Sequence, residues 1–363
     1  MTDNSEESGP PDPRENEELR GQREAETHFL DAYNSKKIPH AWLLCGPKGV
    51  GKATLAHRIA RFILSRPVAD ADSPGLFREA LQSVDPSSLF TNQNSPVFRR
   101  VATGAHADFL FIERTVDEKN GKLRKEIRVN EVRGIGSFLS MSPAEGGWRV
   151  VIIDSADEMN VNAANAFLKV LEEPPKRALL LLVSHNPGRL LPTILSRCRR
   201  LTLRSLPPVT ISQLLQDYAP EIDADDAADL AELADGSVGR ALRLAQEGGL
   251  DLYRDINQLL GNLPRLDIPG VHKLGDKLAR DKSDEAFVQT ADLLDRWLVD
   301  RIKANTLDTG KRNRSLMSPT GLDPWIEVWE KTNHLFQQAN SLHLDRKQII
   351  LNTFLSIEAA AQS

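Results

Sequence analysis

Ala41-Trp42-Leu43-Leu44-Cys45-Gly46-Pro47-Lys48-Gly49-Val50-Gly51-Lys52-Ala53-Thr54 decides how this chain folds. A short apolar run ends in Gly-Pro, which reads as a buried strand followed by a turn. From Thr54 to Leu64 the apolar residues Leu55, Ile59, Phe62 and Ile63 recur at helical spacing. Strand, glycine-rich turn and helix in that order form the context of a phosphate-binding loop. The glycines let backbone amides turn inward around phosphates. The helix N-terminus adds positive potential, and Lys52 has the reach to touch the β- and γ-phosphates. The candidate nucleotide-binding residues are therefore Gly46, Pro47, Lys48, Gly49, Val50, Gly51, Lys52, Ala53 and Thr54, and the implied cofactor is ATP or ADP. A plain glycine turn is the alternative, but this spacing, lysine and context rarely coincide by accident.

The loop departs from its pattern in one respect. The signature ends in Ser or Thr because that hydroxyl holds magnesium. Ala53 stands there instead. Thr54 is one residue on, so its side chain points about 100° round the helix and is no substitute. Magnesium is expected to bind weakly if at all.

Outward from the loop, three more strands are readable: Asp108–Glu113, Val150–Asp154 and Leu179–Val183. The run Val150-Val151-Ile152-Ile153 is β-branched and ends in Asp154, where a P-loop enzyme holds magnesium. Ser155 follows where a hydrolytic enzyme needs a water-orienting Glu. Asp157 and Glu158 lie off that position and read as a solvated helix start. Helices are expected before the loop from Glu18 to Asn34, at Val129–Leu139, and from Asn162 to Glu173, the last stopped by Pro174-Pro175. Apolar strands alternating with helices predict a parallel sheet covered on both faces. Residues 67–105 read as an irregular insertion with one short helix near Leu76–Leu81. After Leu206 the strand signals stop, and the rest is helical (Thr210–Tyr218, Ala224–Leu233, Val238–Glu247, then longer helices), with a loop at Thr306–Pro324.

The 363 residues, 40% hydrophobic and 27% charged, fit a soluble protein of two or three domains. The acidic, proline-bearing start reads as a disordered tail over residues 1–17, with no secretory signal, and no apolar run reaches a membrane span. The cytoplasm is the expected compartment. Two isolated cysteines, Cys45 and Cys198, exclude a zinc-ribbon reading. A net charge of −5 argues against an all-round nucleic-acid coat but allows one basic face. Trp42, Trp148 and the histidines read as packing or surface residues.

Two further elements resemble a known family. Asn165-Ala166-Phe167-Leu168-Lys169-Val170-Leu171-Glu172-Glu173-Pro174-Pro175 and Pro192-Thr193-Ile194-Leu195-Ser196-Arg197-Cys198 are similar to the helix-and-stop and Ser-Arg-Cys elements of bacterial DNA polymerase III clamp-loader subunits, members of the AAA+ class. The resemblance spans residues 18–245. It implies an α/β P-loop domain at 18–205, a small helical lid at 206–250 and an all-α collar at 251–363 that assembles the oligomer. It also implies partners: gamma/tau and delta subunits in a hetero-oligomeric ring, the sliding clamp, and primer-template DNA, with no membrane. Ser184 matches the sensor-1 position. Arg197 matches the arginine finger that reaches ATP in a neighbouring subunit. On spacing alone Arg197, Arg199, Arg200 and Arg204 read as a solvated basic edge; Ser196 and Cys198 around Arg197 favour the finger. In place of the sensor-2 arginine stands Gly239, and Arg240 comes one position late. The family's four-cysteine zinc module has no cysteines here, so no zinc is expected. Ala53, Ser155 and Gly239 together point away from hydrolysis by this chain and toward a part in a neighbour's site. The rivals are an ATP-hydrolysing gamma/tau-like motor, another AAA+ ATPase such as a branch-migration helicase, and an interaction protein with a vestigial loop.

Overall fold

A computed structural model of the chain describes residues 10–66, 86–117, 121–145, 147–281, 285–307, 323–342 and 344–362. By contact density the chain forms two compact units, Met1–Ala241 and Leu242–Ser363.

The first unit is built on a five-stranded parallel sheet: β1 (Ala41–Cys45), β2 (Phe109–Ile112), β3 (Arg149–Ile153), β4 (Ala178–Ser184) and β5 (Arg199–Thr202), in the order β2-β3-β4-β1-β5. β1, β3 and β4 are buried along their whole length, as their unbroken apolar runs require. Their side chains alternate between two layers. Trp42, Leu44, Val150, Ile152, Leu179, Leu181 and Val183 pack with α1 (Arg23–Asn34) and α2 (Lys52–Leu64). Ala41, Leu43, Val151, Ile153, Leu180 and Leu182 pack with α4 (Val129–Ser140), α5 (Val161–Glu172) and α6 (Pro192–Leu195). Each fully buried Leu or Ile here stabilises the sheet by about 1.5–3 kcal/mol. β4 lies between β1 and β3, pairing Cys45 with Ser184 and Ile153 with Leu182. The two strands that sequence assigns to phosphate chemistry therefore flank β4, and their C-terminal ends open at one edge.

Two elements of this unit differ from expectation. β5 is an edge strand bonded only to β1, with Arg199 and Arg200 exposed and Leu201 buried. A single inward residue between Arg200 and Thr202 gives no apolar run to detect. Helix α3 (Pro96–Ala102) lies in the stretch expected to be irregular: Ser95 caps it by accepting from the Phe98 amide at 3.2 Å, and Pro96 takes the first turn. Ser-Pro followed by Phe98 and Val101, both buried, was its signal. The helix expected near Leu76–Leu81 lies outside the described residues, as does most of the 306–324 loop.

Residues 10–17, expected in a disordered tail, are held. The Arg61 guanidinium is fully buried, stacks 4.3 Å over the Phe98 ring, and donates to the carbonyls of Arg14 and Asn16. Burial pushes its pKa down to about 10. Arg14 in turn sits over Phe111 and pairs with Glu113 at 2.6 Å. Burying a charge is tolerable when it is hydrogen-bonded, which fixes this segment against α2.

α7 (Pro208–Tyr218), α8 (Ala224–Leu233) and the start of α9 (Val238–Gln246) complete this unit, close to the sequence boundaries. The lid was expected to end at residue 250; by contacts the chain divides once, between Ala241 and Leu242. The second unit is helical: α10 (Gly249–Leu260), α11 (Ile268–Arg280), α12 (Glu285–Leu307), α13 (Asp323–Leu342) and α14 (Arg346–Gln362). There α12 and α13 are joined by Asp295, which accepts from Trp329 Nε1 at 2.6 Å and Asn333 Nδ2 at 3.0 Å.

Candidate functional site

The loop Gly46–Gly51 leaves β1 and starts α2 as its spacing requires. Gly49 and Gly51 take φ of +78° and +95°, the left-handed region that only glycine enters freely. Pro47 and Lys48 are exposed, whereas Val50 and Thr54 are buried. Lys52 is the first residue of α2 and is buried, and its Nζ donates to the carbonyls of Gly46 (2.7 Å) and Pro47. Burial lowers its pKa to about 8 against the opposing pull of Asp154 and Asp157. Asp154 ends β3 on the other side of β4, and burial raises its pKa, partly offset by the Ser155 amide and by Lys52. The two charged groups named from sequence are thus brought into one field.

The loop is walled by neighbours. The Gly239 amide donates to the Gly49 carbonyl at 3.3 Å. A Cβ on Gly239 would stand 3.1 Å from the Gly49 Cα. A side chain at 239 would therefore crowd the backbone of the loop. Arg240, the next residue, pairs with Asp235 at 2.9 Å. On the other flank, the Gln22 side chain donates to the carbonyls of Val50 (3.3 Å) and Arg204 (2.7 Å).

Asp157 corrects the sequence reading. It is buried, and its two oxygens accept from the amides of His185 (3.0 Å) and Asn186 (3.1 Å). It is a clamp between the turn after β3 and the turn after β4, and its neighbour Glu158 pairs with Arg114 at 2.8 Å. Sequence could not show this, because the partners are backbone groups nearly thirty residues away.

Ser184 is fully buried, and its Oγ has no partner among the described residues. Its side chain continues the Leu180–Leu182 face, away from the α2 layer. His185, which sequence reading had set aside, is half-buried in the bend that follows β4. Its Nε2 lies 3.4 Å from Ser155 Oγ. Its pKa is pushed down to about 4 by burial, then by Lys52.

The donor set does not fit a full magnesium shell. Ala53 offers a methyl group, Asp157 is committed to two amides, and Glu158 to an arginine. The loop and Lys52 do fit an anionic phosphate chain.

Arg197 stands apart from this site, just after α6. It is about one-third exposed, pairs with Glu172 at the end of α5 at 3.0 Å, and donates to the Thr193 carbonyl at 3.0 Å. Sequence did not foresee that Glu172, in the Glu-Glu-Pro-Pro stop, is its partner. Arg199, Arg200 and Arg204 are exposed along and beyond β5.

A family model described as DNA polymerase III, delta subunit, matches residues 21–207. That is more than half of the chain. The chain belongs to this family. Its match runs from just before α1 to just past β5, and so takes in the loop, Asp154, Ser184 and Arg197. The DNA polymerase III subunit delta' of Pseudomonas aeruginosa is 37% identical over 211 residues, 58% of this chain and 56% of that protein. The delta' subunit of Bacillus subtilis is 28% identical over 240 residues, 63% of this chain and 64% of its own. The chain thus spans less than two thirds of the length of these relatives. A gamma subunit-related DNA polymerase III protein of Thermotoga maritima, 18% identical, aligns over 92% of this chain and 99% of its own with a TM-score of 0.38. The part of the first unit that this match covers is the α/β domain with the glycine-rich loop. No helix among the described residues is long and apolar enough to cross a membrane.

Proposed function

We propose that the chain is a delta-prime-type subunit of a clamp loader that helps place the sliding clamp on primer-template DNA, and that it acts in trans as a stator. It completes a ring with gamma/tau and delta subunits in the cytoplasm. Residues 206–250 serve as lid and 251–363 as collar. One observation carries the reading: Arg197 is a solvent-accessible guanidinium held on α5 and α6, while the chain's own site has Ala53 after the loop, Ser155 after β3 and Gly239 in α9 where hydrolysis needs a hydroxyl, a glutamate and an arginine. A guanidinium entering a neighbour's site stabilises charge on the transferring phosphoryl group, an effect of ~10³–10⁵ in rate for such fingers. The chain's own site holds ATP or ADP through loop amides and Lys52, and serves shape rather than turnover. DNA is held on the groove between α4 and α5, about 660 Å³, where Arg133 and Lys169 are exposed beside Asn162 and Asn165. Such contacts go to phosphates, so binding weakens as salt rises.

The test is steady-state ATPase of a complex reconstituted with its motor subunits, wild type against Arg197→Ala, with the isolated chain as control. The expected result is an inactive isolated chain and a loss of at least tenfold in DNA- and clamp-stimulated turnover at the adjoining site, with assembly intact. Turnover by the isolated chain would favour the motor reading. An unchanged complex would leave only a vestigial loop.

A further inference from the structure

We propose that Glu172 is the parking counter-ion of Arg197: it holds the guanidinium on its own subunit while the neighbouring nucleotide site is empty, and releases it when that site's phosphates compete for it. The inference rests on the in-trans reading above and deepens it, by giving the Glu-Glu-Pro-Pro stop a part in regulation.

The first ground is that Glu172 breaks a local rule. It is the last residue of α5, with Glu173 at the cap. The C-terminal carbonyls of a helix carry partial negative charge, so cations are favoured there and carboxylates are not. Pro174-Pro175 cannot continue the helix, which keeps both carboxylates at its end. The Glu172 side chain is 52% exposed, so packing does not explain it. Local preferences are broken mainly where function needs it. The second ground is its partner. Arg197, 25 residues on, donates from Nη2 to Glu172 Oε1 at 3.0 Å. Among the described residues Glu172 has no other ion pair, and its exposed neighbour Glu173 has none. The third ground is the effect on the guanidinium. Nη1 donates to the Thr193 carbonyl at 3.0 Å and reaches Ser196 Oγ at 3.4 Å. Both terminal nitrogens are therefore engaged by the chain's own acceptors. A guanidinium meets phosphate best through two parallel N–H bonds. Thr193 and Ser196 belong to α6 and its cap, close to the arginine in sequence; Glu172 is on another helix, and it is the charged contact that release has to break.

Magnitude decides what kind of device this is. The two side chains are 36% and 52% exposed, so the pair is weak and screened by salt. It holds the guanidinium when nothing competes, and a polyphosphate with several negative charges displaces it. A fully buried pair would not serve, because breaking it leaves an uncompensated charge at high cost. Once phosphate has drawn Arg197 across, Glu172 no longer acts. Its effect therefore falls on the ATP concentration needed for engagement and leaves the maximal rate alone.

The experiment is steady-state ATPase of the complex reconstituted with its motor subunits, over a range of ATP concentrations, with and without primed DNA and clamp. Wild type is compared with Glu172→Gln, Glu173→Gln and Arg197→Ala. Glutamine keeps the length and a neutral acceptor and removes the charge; thermal unfolding verifies the fold and gel filtration the assembly. For Glu172→Gln the KM for ATP is expected to fall roughly 1.5- to 5-fold, with turnover at low ATP rising by a similar factor in the absence of DNA and clamp. Its kcat with DNA and clamp is expected to stay within about twofold of wild type, and the gain at low ATP to shrink as salt rises. Glu173→Gln is expected to behave as wild type. An unchanged KM in Glu172→Gln would overturn the inference. So would a lower kcat at unchanged KM, which would make Glu172 a support that orients the arginine, and so would an equal effect of Glu173→Gln, which would assign the change to overall charge. In each of these cases a loss of turnover in Arg197→Ala would leave the in-trans reading standing. If Arg197→Ala turns over like wild type, that reading fails and this inference with it.

Discussion

Replacing Asp157 tests whether the turns after β3 and β4 are locked by one buried carboxylate. The carboxylate is 7% exposed and accepts two backbone amides, from His185 at 3.0 Å and Asn186 at 3.1 Å. Asp157→Asn keeps the shape but turns one acceptor into an NH2 donor facing an amide donor. One hydrogen bond to a charged group is lost, worth about 1.5–3 kcal/mol, and the other weakens to a neutral one. The expected destabilisation is thus about 2–4 kcal/mol. Asp157→Ala leaves both amides without the carboxylate, at about 1–3 kcal/mol each where water does not replace it. In a unit of this size 1 kcal/mol moves the melting temperature by roughly 2–4 °C, so Asp157→Asn is expected to melt roughly 4–15 °C lower. Urea unfolding followed by far-ultraviolet circular dichroism gives the free energy directly. If Asp157→Asn loses less than about 0.5 kcal/mol, the value typical of a solvated surface change, the carboxylate is a surface group as sequence first had it, and the clamp argument fails.

Other outcomes follow from the same geometry. His57 is buried against Phe109 and Phe111, and burial pushes its pKa down to about 4. The unfolded chain binds this proton near pH 6.5 and the folded one only near 4, so stability is lost as pH falls between them. The loss is about 2 kcal/mol from pH 7 to pH 5, and His57→Gln should flatten that part of the urea-measured pH curve. Gly49→Ala places a methyl group 2.4 Å from Ser237 Oγ at a φ of +78°, so it should cost about 1–3 kcal/mol and weaken ADP binding, read by melting and titration. A Gly49→Ala protein as stable as wild type would mean that the loop and α9 are not in contact. Burial pushes the Cys198 thiol up to about 12 and raises that of Cys45 as well. Native protein at pH 8 should therefore react with a thiol reagent far more slowly than unfolded protein, and prompt labelling of two thiols would contradict the burial.

Much of the first unit was legible because its information is local. β1, β3 and β4 are continuous apolar runs, and α2 and α5 carry clear helical periods bounded by Gly51 and by Pro174-Pro175. A phosphate loop is a short contiguous device, so its residues and the defect at Ala53 could be read before any packing was known. β5 and α3 were missed because their signals are a single inward leucine and a seven-residue helix in a polar stretch. The candidate site was only half legible. Lys52 and Asp154 were named from sequence, but β4 inserts between their strands, and no local pattern states a strand order.

By itself, then, the sequence determined the strand–loop–helix that carries the glycine-rich loop, the alternation that makes a parallel sheet, and the helical character of most of the described residues after Pro208. Only tertiary structure decided that Asp157 clamps two turns, that the Gly49 backbone lies against Gly239, and that Arg197 rests on Glu172. The physical reason is the range of the interactions. Propensity and periodicity act over one or two turns of chain, whereas burial, close backbone approach and pairing of charges join residues that meet only when the sheet has closed.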